Sequence, residues 1–183
     1  MLYFLRYIDR FLAIANGEVK RDVSMIMMRD VSVAKDTTID GKKIMGDMAI
    51  TKVQEYMRDD ILSTYPKLPQ LTRYVNALLG PNLRACHTMF INKPPDSGVG
   101  SSRHPPHQDL WYFTFRPINR IVASWTALQR ITPDIGGLFV LPGSHLLPLQ
   151  NHTYPTDGVV NKGYFGIQHM GEEKYGMDRY VYV

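Results

Sequence analysis

The sequence predicts a mainly β protein with helices at its front, arranged as an antiparallel barrel or sandwich. Two observations lead to this prediction. An amphipathic segment opens the chain, and a second one covers residues 69–79. From residue 83 onward, short runs of strand-forming residues are separated by turns that contain Pro and Gly. Helices followed by many short strands are typical of these two architectures.

The first predicted helix covers residues 1–16. Leu5, Ile8 and Leu12 recur at intervals of three and four residues, which is the spacing of one helical face. Gly17 follows the last apolar position and is a suitable stop, because glycine readily adopts the left-handed conformation that ends many helices. We therefore expect this helix to bury a stripe built on those three side chains. The stripe is widened by Phe4, Phe11 and Ala15.

The later elements are predicted from alternation and from turn residues. A helix over residues 69–79 ends at Gly80, which is followed by proline. Alternating apolar and polar residues, as in residues 83–91, are typical of a strand with one buried face. The predicted strands cover residues 25–28, 31–33, 50–53, 83–91, 107–113, 120–128, 138–141, 164–168 and 180–183.

The composition indicates one globular domain over residues 1–183 and argues against several classes of protein. The chain has 21 Lys and Arg against 17 Asp and Glu, a net charge of +4, and 44% hydrophobic residues, which is typical of a chain with a core. The single cysteine, Cys86, excludes an internal disulfide framework. The sequence has no dense stripe of basic residues, which is typical of proteins with a nucleic-acid partner. It also has no apolar run that reaches the roughly 18 residues of a membrane span. The oligomeric state is not predicted.

His107-Gln108-Asp109 is the strongest candidate for chemistry. Residues two apart in an extended strand point to the same face, so the imidazole and the carboxylate converge. One nitrogen and one hard oxygen donor suit Fe(II), and a site of two histidines and one carboxylate leaves three coordination positions open. His-X-Asp alone is a weak signal, however, and a hydrogen-bonded pair on the surface is the alternative interpretation.

A series of short motifs surrounds this tripeptide and runs through the chain from about residue 8. The motifs are MRDVSVAK from Met28, ITKVQ from Ile50, HTMFINKPPDSG from His87, RHPPHQDLWYFTFRP from Arg103, RIVASWTA from Arg120, VLPGSH from Val140, HTYP from His152 and VNKGYFGIQ from Val160. Their order and spacing resemble the phytanoyl-CoA dioxygenase (2-hydroxylase) family.

The resemblance implies both a fold and a reaction. The implied fold is a double-stranded β-helix, a cupin-like jelly roll with flanking helices. The implied activity is that of an Fe(II)- and 2-oxoglutarate-dependent dioxygenase, with ascorbate as a further candidate cofactor. Such an enzyme hydroxylates a branched-chain acyl-CoA next to the thioester, in fatty acid α-oxidation, and converts the cosubstrate to succinate and CO2. An acyl-CoA is thus the implied small-molecule partner.

The resemblance also assigns residues to the site. Iron ligation falls on His107 and Asp109, and 2-oxoglutarate contacts fall on Lys52, Met89, Gln108 and Trp125. Lys52 is a long cation suited to a dicarboxylate, and a surface lysine is its alternative interpretation. Met89 and Trp125 lie among strand formers, so both could instead be core residues. Gln108 points away from its two neighbours by strand alternation, so its contact rests on the resemblance alone.

The sequence departs from the family pattern after residue 170. The family's second iron-binding histidine and its 2-oxoglutarate-binding arginine have no counterpart here, so we expect a chain that is incomplete at its C-terminus. Because members of the family begin earlier, we expect it to be incomplete at its N-terminus as well. His145, His152 and His169 are the downstream histidines that would have to serve instead. We expect the chain alone to be poorly active, and a catalytically deficient binding protein is the alternative function. Kinship implies the peroxisome, and the cytoplasm is the alternative because no targeting signal is visible.

Overall fold

Two α-helices, six 3-10 helices and nine short strands form the regular structure of the residues that the computed structural model describes, which are 2–30, 38–39, 42–43, 45–95, 104–154, 163–167 and 181–182. The helices are α1 (Leu2–Ala15) and α2 (Pro69–Leu79). The strands are β1 (Ile26–Arg29), β2 (Thr38–Ile39), β3 (Lys42–Lys43), β4 (Ile50–Gln54), β5 (Met89–Ile91), β6 (Phe139–Val140), β7 (His152–Thr153), β8 (Gly166–Ile167) and β9 (Val181–Tyr182).

All described strand pairs are antiparallel. β1, β4 and β5 form a three-stranded sheet with β4 in the centre, and the remaining pairs are β2–β3, β6–β9 and β7–β8. This arrangement of small antiparallel sheets with few helices agrees with the predicted mainly β class. Within the described residues, no helix is long and apolar enough to cross a lipid bilayer.

The chain divides into two compact units. Unit 1 contains Met1–Pro95 and Arg120–Leu128, and unit 2 contains Asp96–Asn119 and Gln129–Val183. Unit 1 holds both α-helices and the three-stranded sheet, whereas unit 2 holds the β6–β9 and β7–β8 pairs. The predicted iron ligands therefore belong to unit 2, and the sheet that carries Lys52 belongs to unit 1.

Helix α1 forms where it is predicted, and it buries only part of the predicted stripe. Tyr7, Phe11 and Ile14 are 2%, 2% and 4% exposed, whereas Leu5 is 45% exposed. The hydroxyl groups of Tyr7 and Thr64 share a hydrogen bond of 3.0 Å, so the Tyr7 ring is buried while its polar end keeps a partner. Phe11 is buried as predicted, whereas the prediction of a buried Leu5 is wrong and Tyr7 is missing from the predicted stripe.

The core of unit 1 packs on one face of the three-stranded sheet. Val53 is fully buried in β4 and lies opposite Met27 in β1 and Phe90 in β5. Phe90 stacks on Phe11 of α1, with ring centroids 4.5 Å apart. Successive strand residues point to opposite faces, so Lys52, next to Val53, lies on the face away from this core.

Two predicted strands are wrong. Residues 107–113 contain the 3-10 helix Asp109–Trp111, and residues 121–128 have no regular structure. A strand needs backbone partners on a neighbouring strand. In residues 107–113, the N–H of Gln108 donates to a histidine ring instead, and the N–H of Tyr112 donates to the carbonyl of Asp109.

The other predicted elements are confirmed to different extents. Helix α2 and strands β1, β4 and β6 lie where the sequence predicts them. The predicted strand over residues 83–91 is paired only at Met89–Ile91. The predicted strand over residues 31–33 lies outside the described residues.

Candidate metal centre

The predicted iron ligands lie side by side in unit 2. Nε2 of His107 is 3.2 Å from Oδ1 of Asp109. Gln108 between them is extended, with φ −108° and ψ 126°, and Asp109 then begins the 3-10 helix Asp109–Trp111. The longer predicted strand is absent, but one extended residue is enough to bring the imidazole and the carboxylate to the same point.

A backbone carbonyl fixes the tautomer of His107. The carbonyl oxygen of Pro105 lies 2.9 Å from Nδ1 of His107, and a carbonyl can only accept, so Nδ1 carries the proton. In the neutral ring, Nε2 then carries the lone pair that faces Asp109. Metal-binding histidines commonly donate their other ring N–H to a backbone carbonyl, which holds the ring in a fixed orientation.

Aromatic rings pack around His107. His104 stacks on it with ring centroids 4.1 Å apart and an interplanar angle of 13°, and the Tyr112 ring stands edge-on at 5.7 Å. Tyr164 lies against His104, with centroids 4.4 Å apart. Burial raises the pKa of the Tyr112 and Tyr164 hydroxyls, so both phenols are neutral at physiological pH.

The facing atoms of His107 and Asp109 suit a cation. When the imidazole is neutral, Nε2 and Oδ1 both carry lone pairs, and two acceptors 3.2 Å apart repel each other unless a proton or cation lies between them. Two metal–ligand bonds of about 2.1 Å at a right angle place their donor atoms about 3 Å apart. The geometry therefore fits two neighbouring positions of an octahedral ion. It also fits the alternative, a hydrogen-bonded pair in which the imidazole is protonated.

No third protein ligand stands beside this pair among the described residues, because no group of three or more His, Cys, Asp or Glu there could hold a metal ion. His145 is exposed. His152 uses both ring nitrogens: Nδ1 donates to the carbonyl of Gln150 and Nε2 accepts the backbone N–H of Gln108, each at 2.8 Å. His169 lies outside the described residues.

The carboxamide of Gln108 contacts a neighbouring segment of unit 2. Its Oε1 accepts the backbone N–H of Gln150 at 2.8 Å, and its Nε2 donates to the carbonyl of Pro148 at 3.2 Å. A contact between this carboxamide and 2-oxoglutarate would require it to exchange these partners. The assignment of Gln108 to the cosubstrate stays a prediction.

Lys52 and Met89 lie on the same face of the sheet in unit 1. Lys52 is opposite Ile91 and Met89 is opposite Gln54, and residues opposite each other or two apart share a face. Lys52 is 6% exposed, so the alternative of a surface lysine is wrong. Burial, with a smaller effect of the Lys93 charge, lowers the pKa of the Lys52 ammonium to about 8. A carboxylate ligand would favour the charged form of this lysine again.

Trp125 lies in the irregular part of unit 1. It is 41% exposed, so it is not the core residue that the alternative interpretation required. Its neighbour Thr126 shares a hydrogen bond of 2.8 Å with the hydroxyl of Tyr65, and Leu128 packs against the core of unit 1. The segment around Trp125 is thus anchored while the indole itself remains accessible.

Sequence reasoning missed the residues that hold the ligand segment in unit 2. The N–H of Ile167 donates to the carbonyl of Pro106 at 2.9 Å, and the ring of His152 accepts the N–H of Gln108 at 2.8 Å. Spacing along the chain could not reveal these contacts, since the partners are far apart in sequence. The one signal in the sequence was that His152 lies in the HTYP motif and Ile167 in the VNKGYFGIQ motif.

The chain is similar to phytanoyl-CoA dioxygenases of animals. The family described as Phytanoyl-CoA dioxygenase (PhyH) matches residues 5–179. Identity is 46% over 164 residues to the peroxisomal phytanoyl-CoA dioxygenase of Bos taurus and 46% over 170 residues to that of Homo sapiens. It is 47% over 167 residues to the probable phytanoyl-CoA dioxygenase of Caenorhabditis elegans.

These alignments cover 89%, 92% and 89% of this chain, but 47%, 48% and 52% of the three relatives. The chain therefore spans about half the length of the curated relatives that it matches. The family match includes the ligand segment of unit 2 and the sheet of unit 1, and it confirms the resemblance that the motifs indicated. On this evidence the chain belongs to the phytanoyl-CoA dioxygenase (PhyH) family.

Proposed function

We propose that this chain is an Fe(II)- and 2-oxoglutarate-dependent dioxygenase that hydroxylates a branched-chain acyl-CoA at its 2-position, a reaction of fatty acid α-oxidation. The observation that carries the proposal is the 3.2 Å separation of His107 Nε2 and Asp109 Oδ1. Family membership supports the type of reaction. The names of the relatives, phytanoyl-CoA dioxygenases, support the class of substrate.

His107 and Asp109 would hold the iron in this proposal. Their donor atoms are an imidazole nitrogen and a carboxylate oxygen, the donor set that suits Fe(II) with open positions. When bound, Fe(II) and 2-oxoglutarate together supply the activation of O2 and the oxidation of a C–H bond. The carbonyl of Pro105 keeps Nε2 of His107 available as a donor by taking the proton of Nδ1.

Lys52 is the residue of unit 1 that we propose for a carboxylate of 2-oxoglutarate. Its ammonium is buried and its pKa is lowered to about 8, so an anionic partner would be bound with little competition from water. Met89 shares the face of Lys52, and Trp125 presents an accessible indole. With Gln108 of unit 2, these are the contacts that the family resemblance assigns.

A catalytically deficient binding protein is the second candidate function. The absence of a third protein ligand among the described residues favours it, because two protein ligands bind a metal ion more weakly than three. Such a protein would retain the family fold and bind the acyl-CoA or the cosubstrate without turnover.

An assay with phytanoyl-CoA separates the two functions. The purified chain would be incubated with Fe(II), 2-oxoglutarate, ascorbate and O2, and 2-hydroxyphytanoyl-CoA and succinate would be measured by mass spectrometry. Product that forms in equal amount to succinate, and that is lost in Asp109→Ala, supports the dioxygenase. Binding of 2-oxoglutarate without product supports the alternative.

The family membership also supports two broader proposals. We propose that the fold is a double-stranded β-helix. The antiparallel strand pairs β6–β9 and β7–β8 of unit 2 support this proposal. We propose the peroxisome as the location, because relatives from Bos taurus, Rattus norvegicus and Homo sapiens carry that label. A single domain over residues 1–183 stays a prediction.

A further inference from the structure

The first of the two peptides that join the proposed iron ligands donates its N–H to a side chain. Gln108 lies between His107 and Asp109, and its backbone N–H donates to Nε2 of His152 at 2.8 Å. That N–H belongs to the planar peptide that begins at His107, so its direction is tied to the backbone torsions on both sides. Whatever holds this N–H therefore limits the relative orientation of the two ligand side chains.

The ring of His152 is prepared for this role. Its Nδ1 donates to the carbonyl of Gln150 at 2.8 Å, so Nε2 is the acceptor in the neutral ring. The residue is 4% exposed. Its ring stacks on Trp111, with centroids 4.9 Å apart and an interplanar angle of 16°. Trp111 is the last residue of the 3-10 helix that Asp109 begins. His152 therefore contacts the backbone of the residue before Asp109 and the indole ring two residues after it.

Two neighbouring hydrogen bonds hold the same backbone segment in place. Gln150 donates its N–H to Oε1 of Gln108, and Ile167, which is opposite His152 in the β7–β8 pair, donates its N–H to the carbonyl of Pro106. The segment before Asp109 is thus hydrogen-bonded to a residue just before His152 in sequence and to the residue opposite His152 on the neighbouring strand. Within this network, His152 accepts the N–H of the first peptide between the ligands, and the carbonyl of the second peptide accepts the N–H of Trp111 at 3.0 Å.

We propose that His152 is a positioning residue for the metal pair, holding the Gln108 peptide so that His107 Nε2 and Asp109 Oδ1 face one ion. This inference rests on the proposed iron-binding function. It gives His152 a role other than that of a third ligand, since both of its ring nitrogens are engaged in hydrogen bonds. Residues that orient metal ligands commonly change metal affinity by about 10- to 100-fold when they are replaced.

Two variants of His152 separate the hydrogen bond from the stacking. His152→Phe keeps a flat ring against Trp111 but has no acceptor, whereas His152→Gln keeps an acceptor near the position of Nε2 but has no ring. We expect His152→Phe to bind Mn²⁺, used as a redox-stable substitute for Fe(II), about 10- to 100-fold more weakly than wild type. We expect His152→Gln to recover most of that affinity, and the neighbouring Thr153→Val to bind like wild type.

Mn²⁺ binding is measured by electron paramagnetic resonance on protein whose folding is checked by circular dichroism. Wild-type affinity in a folded His152→Phe would overturn the inference. Equal weakening in the Phe and Gln variants would overturn it as well, because an acceptor at this position would then have no effect.

A second measurement needs no metal. In uniformly ¹⁵N-labelled protein, the N–H···N bond from Gln108 to His152 should give a scalar coupling across the hydrogen bond. Metal binding without this coupling would overturn the inference and leave the proposed function intact. Coupling in a chain that binds no metal would instead refute the proposed iron site, and the positioning role with it.

Discussion

Gly166 lies so close to Pro105 that a side chain would not fit between them. A Cβ on Gly166 would come within 2.6 Å of Cβ and 2.8 Å of Cγ of Pro105. Gly166 belongs to β8, and the carbonyl of Pro105 accepts the Nδ1 proton of His107. The strand pair β7–β8 therefore sets where the metal-ligand segment begins.

Replacing Gly166 by alanine should disturb the proposed metal pair. The added methyl group requires the ring of Pro105 to move, and overpacking of this kind costs about 1–3 kcal/mol. We expect Gly166→Ala to lower the free energy of unfolding by that amount and to weaken Mn²⁺ binding about tenfold. Urea unfolding and electron paramagnetic resonance measure the two effects.

Gly17→Ala is the matched control for this prediction. A Cβ added to Gly17 would have no atom within 4 Å, but the φ of 76° at this position disfavours alanine. The variant should therefore lose stability without crowding the metal-ligand segment. Wild-type metal affinity in Gly166→Ala, or equal weakening in Gly17→Ala, would contradict the role given to the Pro105 contact.

Burial of Lys52 should cost stability at neutral pH. Its pKa is about 8 in the folded chain against an ordinary 10.5, a difference that corresponds to about 3 kcal/mol. Between these two values the unfolded chain binds more protons, so stability rises with pH and the penalty is complete below pH 8. We expect Lys52→Met to be more stable than wild type by up to about 3 kcal/mol at pH 7.

The advantage of Lys52→Met should shrink as the pH rises from 8 to 10.5. Chemical denaturation at several pH values measures it, with the exposed Lys67→Met as control. A difference that is independent of pH would contradict the account. The same variant should also bind 2-oxoglutarate more weakly, because it lacks the ammonium that we propose for a carboxylate of the cosubstrate. Residues that lower the stability of a fold are often retained because they bind a ligand.

Leu62 should contribute more to stability than an exposed leucine of the same unit. It is 1% exposed in the core of unit 1, whereas Leu78 on α2 is 67% exposed. We expect Leu62→Ala to lower the free energy of unfolding by about 2–5 kcal/mol. Leu78→Ala should change it by less than about 0.5 kcal/mol, because it leaves no cavity. Similar losses in the two variants would refute the assigned core.

Asp59 joins α1 to the turn before α2. Its Oδ2 accepts from Arg10 at 2.9 and 3.0 Å, and its Oδ1 accepts the N–H groups of Ile61 and Leu62. Removing one partner of a buried ion pair typically costs about 3 kcal/mol or more. We expect a loss of this size in Asp59→Ala and a smaller loss in Asp59→Asn, which keeps an acceptor oxygen.

Thermal and urea unfolding measure both Asp59 variants. The exposed Asp60→Ala, one position along, is the control and should unfold like wild type. The assigned contacts would be wrong if Asp59→Ala unfolded like this control.

The sequence predicted local features of the fold and site better than contacts between distant segments. His107 and Asp109 meet because one extended residue separates them, and that rule needs no knowledge of the rest of the chain. The helix α1 was also predictable from its spacing. The burial of Phe11 was predicted as well, but that of Tyr7 was not, because the partner of its hydroxyl, Thr64, lies in a distant segment.

Features that depend on pairing between distant segments could not be predicted. Lys52 lies in a central strand because β1 and β5 both pair with β4, and no short motif shows a strand to be central. The hydrogen bond between Gln108 and His152 joins residues 44 positions apart. The strand predicted over residues 107–113 failed for the same reason, since its donors are taken by a side chain and a local turn.

The most direct test of the proposed iron site is an anaerobic titration of the purified chain with Fe(II) and 2-oxoglutarate. A metal-to-ligand charge-transfer band in the visible spectrum reports 2-oxoglutarate bound to protein-held iron. We expect the band in the wild-type chain and its loss in His107→Ala. Absence of the band in the wild type, or an unchanged band in His107→Ala, would contradict the assignment of His107 and Asp109 as iron ligands.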